Sequence, residues 1–277
     1  MSEKMQSPFE KIYAPLPDVG AYLERIGYRG EVSSNLETLR KLMQCHLAAV
    51  PFENLDVFHG HLEPSLETER MFAKIVLNRR GGYCFELNGL FSKLLEAIGF
   101  SVSCTFARIL FGRSFVPPKA HRVIIVEIQG EKYFCDIGFG GPVPVEPIKI
   151  VYDTVIESKP NRRYKFLKDK SDITLLIEKE NEFVPLISFG KASCDPADFI
   201  PLNAFCAYSE YEPFRKKQML WKFSENGRYS IDGDVLKVTE NGEEKEIYLK
   251  TEAELRDALK KWFGIIYPGK LREWRSN

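Results

Sequence analysis

The apolar residues of this 277-residue chain change their spacing near residue 100, from a helical to a strand-like period. That switch restricts the chain to folds in which a helical segment precedes a sheet, an α+β arrangement. Ser34 with Glu37 three residues later is a capping-box pattern, and Leu36, Leu39, Leu42, Met43 and Leu47 then recur at helical spacing until Pro51. A second helix is predicted over about 84–98, with Leu87, Leu90, Phe91, Leu94, Leu95 and Ile98 on one face. Gly99 follows where a left-handed C-terminal residue belongs.

Beyond residue 100, β-branched and aromatic runs take over. Residues 122–128 and 132–139 predict a hairpin around Gln129-Gly130-Glu131, and 172–177 with 183–189 predict further antiparallel strands. Residues 143–160, rich in Pro and Val, read as a crossover loop. Residues 236–238 and 246–249 predict another hairpin around Asn241-Gly242, and 251–263 a short amphipathic helix capped by Thr251 with Glu254.

Lys plus Arg and Asp plus Glu are equal at 39 each, which argues against a nucleic-acid partner, since phosphate backbones require a basic face. A content of 44% hydrophobic and 13% aromatic residues excludes a disordered chain. The opening residues carry no apolar run behind a basic start, and no stretch approaches the roughly 18 apolar residues of a membrane span. The six cysteines include no C-x-x-C, so neither a metal site nor a thioredoxin-type pair is indicated. Six are also too few for a disulfide framework in so long a chain, and free thiols in a reducing cytoplasm are the better reading.

The chemistry begins at Arg80-Gly81-Gly82-Tyr83-Cys84. Two glycines permit a tight turn and place Cys84 in a first helical turn, where unpaired N–H groups and the helix dipole favour a thiolate. The same N–H groups suit an acyl-transfer oxyanion. A buried structural cysteine behind such a turn fits the local pattern as well. Of the four histidines, His46 falls on the apolar face of the first long helix and reads as core, while His59 and His61 flank Gly60 in a polar turn and read as solvated. His121 immediately precedes a strand, a position open to a structural or a catalytic histidine.

Strand parity narrows that choice. Pairing Ile128 with Glu131 sets Asp136 opposite Val123, diagonal to His121 and on the same face. A bulge or a three-residue loop would undo this. A carboxylate beside an imidazole fixes its tautomer and stabilises its charged form, so Cys84, His121 and Asp136 together read as nucleophile, base and orienting acid. Cys135 points to the opposite strand face and reads as structural.

These residues resemble the signature segments of the arylamine N-acetyltransferases. The matching stretches are Val50-Pro51-Phe52-Glu53-Asn54-Leu55, Arg80 through Asn88, His121-Arg122-Val123 and Asp136-Ile137-Gly138-Phe139-Gly140. They occur in the family's order, and the resemblance extends from Tyr22-Leu23 to Trp262-Phe263-Gly264-Ile265. It implies an N-terminal helical domain (1–99) carrying the nucleophile, a central antiparallel β-barrel (100–205) carrying the histidine and the aspartate, and a C-terminal α/β lid (206–277). The catalytic core would be papain- or transglutaminase-like, with a Cys84-His121-Asp136 triad. Cys84 would take an acetyl group from acetyl-coenzyme A and pass it, by ping-pong kinetics, to an arylamine, arylhydroxylamine or arylhydrazine, with no metal involved. Phe52 and Phe139 match positions lining the acceptor pocket, although either could be ordinary core. Arg80 and Glu53 read as a buried charge pair bracing the Cys84 loop, the competing reading being a solvated rim.

One segment departs from the resemblance. After Asn203 the family usually shows Ser-Thr-x-Pro and another Ser near coenzyme A, whereas this chain reads Ala207-Tyr208-Ser209-Glu210-Tyr211-Glu212. The bulk of Tyr208 and the charges of Glu210 and Glu212 predict weakened or displaced acetyl-coenzyme A binding; drift of a loop that does not touch the cofactor is the plainer reading. Two further functions share the residues: a cysteine hydrolase using the same triad on water, and a silent binding protein that keeps the fold.

Overall fold

A computed structural model of the chain describes residues 7–158 and 162–271. Helices dominate the first hundred residues, followed by two antiparallel sheets and a short C-terminal helix. The helix Leu36–Ala49 is capped by Asn35, whose side chain accepts from the Thr38 N–H, rather than by Ser34. Asn35 has the extended backbone of a cap residue, and its carboxamide reaches the N–H three residues on. The helix ends at Ala49, just before Pro51.

The helix Cys84–Ile98 is the centre of the molecule. Its apolar face was legible as a stripe, yet its first turns are buried on every side, Glu86, Asn88 and Ser92 included. It is packed between the helices Val19–Arg25 and Thr68–Phe72 and the strands Ser101–Ile109 and His121–Ile128. Gly99 terminates it with φ 100°, in the left-handed region. Buried polar groups on such a helix need partners, and those partners build the site described below.

Among the described residues the larger sheet has eight strands. In spatial order they are Ile148–Lys149, Glu131–Cys135, His121–Ile128, Ser101–Ile109, Glu182–Gly190, Asp172–Lys179, Arg162–Lys168 and Val155–Ser158. The sheet curls until its ends nearly meet, giving a near-closed antiparallel barrel: the Phe134 and Phe166 rings, from opposite ends of the order, lie 6.3 Å apart inside it. The Asp153 N–H also donates to the Phe166 carbonyl. Residues 143–158 are therefore not a plain crossover loop, because they contribute both edge strands; Lys159 and Pro160 lie outside the described residues.

Strand His121–Ile128 pairs with Glu131–Cys135 through a two-residue turn, Ile128 opposite Glu131 and Ile124 opposite Cys135. Val123 and Phe134 face the barrel interior, while Ile124, Val126 and Cys135 face the helical layer. The second strand stops at Cys135 instead of running to residue 139, because Asp136 turns its carboxylate back on the Gly138 N–H.

A smaller five-stranded sheet runs Phe52–Glu53, Met219–Ser224, Gly227–Asp232, Val235–Glu240 and Glu243–Tyr248. Its last hairpin turns at Asn241-Gly242, both with positive φ. The helix Glu252–Ala258 follows, with Thr251 and Glu254 forming a reciprocal capping box, and a π-helical turn extends it to Phe263. Its first strand comes from the helical half of the sequence, so this sheet is joined to the segment preceding Cys84.

Candidate active site

Cys84 sits at the first helical position behind a turn that only glycine permits. Glu53 N–H donates to the Gly82 carbonyl at 2.8 Å, and Phe52 and Gly82 form a parallel bridge. A Cβ at Gly81 would lie 2.0 Å from the Pro51 carbonyl oxygen, so this backbone contact requires a residue without one. Gly138 approaches from the other side, where a Cβ would lie 2.8 Å from the Cys84 Cα.

His121 Nε2 donates to Asp136 Oδ2 at 2.7 Å, both residues being buried. Cys84 and His121 line the same cavity, and the sulfur is close enough to act on the charge of the imidazole. With Nε2 engaged by Asp136, Nδ1 remains for the sulfur. Burial alone would push the imidazole below its ordinary value, but the Asp136 carboxylate and the Cys84 sulfur overcome it and hold His121 up at about 10. The ring of Phe139 packs edge-on against His121 at 6.1 Å.

Asn88, one helical turn after Cys84, holds Asp136 in place. Its Nδ2 donates to Asp136 Oδ1 at 2.8 Å and to the Arg122 carbonyl at 2.6 Å, and its Oδ1 accepts from the Ile137 N–H at 3.0 Å. The Gly138 N–H donates to Asp136 Oδ1 at 2.9 Å, so the carboxylate, fully buried, is bonded at both oxygens. Sequence reasoning passed over Asn88; its signal was an amide one turn after the cysteine on an otherwise apolar helix.

Beneath the Cys84 turn lies a network of charges. Arg80 Nη2 contacts Glu53 Oε1 at 2.7 Å and Asp56 Oδ1 at 2.9 Å, while Lys74 Nζ lies 2.7 Å from both Asp56 and Glu86. The second oxygen of Glu53 accepts from the Leu55 N–H, and that of Glu86 from the Tyr83 N–H. The Arg80 guanidinium stands 4.8 Å from the centre of the Tyr267 ring. Burial pushes Glu86 up to about 7 against the pull of Lys74. Glu53 and Arg80 thus lie inside the protein, tied to both sides of the Gly81-Gly82 turn.

The other histidines and cysteines separate cleanly. His46 is buried, 3.1 Å from the Tyr22 hydroxyl, and burial lowers it to about 3. His59 is not solvated as a polar turn suggests: it is half-buried and hydrogen-bonded to Gln218 at 2.9 Å, because the small sheet folds over that turn. Cys135 is buried against the helical layer, and burial raises its thiol. Cys206 is buried, and burial together with the charges of Cys84 and Glu212 pushes its thiol up, so it neighbours the site although nothing in its local sequence marks it. Among the described residues no group of His, Cys, Asp or Glu is arranged to hold a metal ion. Nor is any helix long and apolar enough to cross a membrane.

A cavity of about 130 Å³ opens over Cys84 and His121. Phe52, Phe139, Phe214 and Met219 line it, with Arg113 and Glu212 as its remaining charged side chains. Within the 207–212 stretch only Glu212 reaches it. Tyr208, expected to narrow the cleft, is 52% exposed and absent from the cavity wall. It lies at the last turn of the helix Ile200–Tyr208 and projects to solvent.

A family model described as N-acetyltransferase matches residues 35–271. The arylamine N-acetyltransferase of Mycolicibacterium smegmatis is 32% identical over 256 residues, covering 90% of this chain and 92% of its own. The chain belongs to the arylamine N-acetyltransferase family. The Escherichia coli arylamine N-acetyltransferase is 30% identical over 252 residues, with 90% of this chain and 89% of its own covered. The solved arylamine N-acetyltransferase of Mycobacterium marinum in complex with CoA superposes with a TM-score of 0.82 at 28% identity, over 90% of this chain and 93% of that one. Membership makes the protein an acyltransferase, and the helices, near-closed barrel and additional sheet are the fold of that family.

Proposed function

We propose that the enzyme transfers an acetyl group from acetyl-coenzyme A to arylamines, arylhydroxylamines or arylhydrazines through a thioester on Cys84, with Cys84, His121 and Asp136 as its triad. The observation that carries this is the 2.7 Å bond between His121 and the buried Asp136, set beside the Cys84 sulfur. The imidazolium stabilises negative charge on that sulfur. Cys84 Sγ attacks the acetyl carbonyl; a carbon–sulfur bond forms to Cys84 while the coenzyme's carbon–sulfur bond breaks, and His121 gives its proton to the departing thiolate. In the second half-reaction the acceptor nitrogen attacks the thioester, its proton passes to His121, and the Cys84 thiolate is released. First-turn N–H groups of the Cys84 helix suit the tetrahedral oxyanion in both halves.

On this reading Phe52 and Phe139 are the flat walls of the acceptor site, and Glu53 and Arg80 brace the Cys84 turn without touching substrate. The partners are small molecules, the three units span 1–99, 100–205 and 206–277, and the free thiols suit a reducing cytoplasm. The test is steady-state kinetics with donor and arylamine both varied. Parallel double-reciprocal lines and coenzyme A release that depends on the acceptor support the proposal. Equal release without an acceptor would make the enzyme a hydrolase.

A further inference from the structure

The cavity over Cys84, at about 130 Å³, is slightly smaller than the roughly 150 Å³ apolar cavity that accepts one benzene molecule. A single aromatic ring fills it. Besides Cys84 and His121, the wall offers an aromatic acceptor two charged side chains, Arg113 and Glu212. The two are not equivalent. Arg113 is exposed, its guanidinium 5.6 Å from the centre of the Phe115 ring, so water and salt screen it. Glu212 is half-buried, and its carboxylate has neither a hydrogen bond nor an ion pair among the described residues. Burial raises its carboxyl, with the charge of Arg113 pulling the other way.

A partly desolvated carboxylate that no protein group hydrogen-bonds favours a ligand that does, and a charge-assisted bond there is stronger than at the open surface. Of the stretch 207–212, this acid alone reaches the cavity. We propose that Glu212 determines acceptor specificity, selecting single-ring aromatic acceptors that carry a cationic group in addition to the reacting nitrogen. The inference rests on the acetyl-transfer reading for where that nitrogen sits.

Three probes share an aniline nitrogen and differ in the charge of their second group: 4-aminobenzylamine, 4-methylaniline and 4-aminobenzoate. Their dissociation constants are measured on the unacetylated enzyme by titration calorimetry at low salt, and kcat/KM is measured at saturating donor. The wild type should bind the cation about tenfold more tightly than the neutral probe, with the anion weakest. Glu212→Gln should erase the difference, Glu212→Asp should keep it, and Arg113→Gln should widen it. Equal affinities in the wild type, or a cation preference that survives Glu212→Gln, would overturn the proposal. A preference for 4-aminobenzoate would do so as well, by assigning the cavity to Arg113. So would an unchanged acceptor preference with a lowered donor KM in Glu212→Gln, which would assign the acid to the donor. The binding measurement needs no turnover, so a cation preference without acetyl transfer would count against the reaction and not against Glu212.

Discussion

Asn88→Ala removes the side chain that ties the Cys84 helix to Asp136. The buried amide makes three bonds: to the Arg122 carbonyl at 2.6 Å, to Asp136 Oδ1 at 2.8 Å and from the Ile137 N–H at 3.0 Å. Truncation orphans the Arg122 carbonyl and the Ile137 N–H, whereas Asp136 Oδ1 keeps the Gly138 N–H. At about 1–3 kcal/mol for each orphaned buried group, the variant should lose about 2–6 kcal/mol of stability. The lower end applies where a water enters the space left behind. Asp136 still reaches His121 but loses its brace, and a misplacement on the order of 1 Å costs about 100-fold in turnover. Urea unfolding and kcat/KM for a simple arylamine measure the two effects. Asn88→Asp separates positioning from packing, because it keeps an acceptor for Ile137 but sets a second carboxylate against Asp136. Two carboxylates in contact take up a proton more readily, so kcat/KM relative to wild type should rise as the medium goes from about pH 8 to about pH 6. A ratio that stays flat, with Asn88→Ala losing less than about 1 kcal/mol, would mean that Asn88 does not hold Asp136 in place.

Three further outcomes follow from the same geometry. Asp136→Asn should lower turnover on the order of 10⁴-fold, since an amide favours the wrong imidazole tautomer; near wild-type acetylation would mean another acid orients His121. Arg80→Ala strands the buried Glu53 carboxylate and should destabilise the fold by about 3–5 kcal/mol in urea unfolding, whereas a loss near zero would belong to a solvated pair. His121 is held at about 10 in the fold against an ordinary 6.5, so its stabilisation is complete below 6.5 and is lost as the pH rises through 10. The difference in Tm between wild type and His121→Gln should shrink across that window, and a difference that widens would contradict the assignment.

The hairpin shows why part of the site was legible in sequence. A two-residue turn at Gln129-Gly130 fixes the register, and register fixes the face, so His121 and Asp136 come together although the second strand ends at Cys135. The period of the helix Cys84–Ile98 was equally plain, because it follows directly from apolar spacing. What escaped were features created by tertiary contact. Phe52–Glu53 and Ile148–Lys149 are two-residue strands, too short to carry any alternation, and they exist because a neighbouring strand presents its edge. Asp56, Lys74 and Glu86 look like ordinary surface charges until the fold buries them around Arg80. Cys206 joins the same buried cluster as Cys84 through long-range packing, with no local pattern to announce it. Asn35 displaced Ser34 as a cap because both residues satisfy the same local rule, and only the backbone at the helix start chooses between them.

If Cys84 carries the acetyl group between donor and acceptor, intact-protein mass spectrometry with peptide mapping will find it there. After brief exposure to acetyl-coenzyme A without acceptor, a single acetyl adduct should appear on the peptide containing Cys84, be removed on adding an arylamine and be absent from Cys84→Ala. An adduct on Cys206 or Cys135, or turnover of the arylamine with no acetylated Cys84 at any time, would contradict that role.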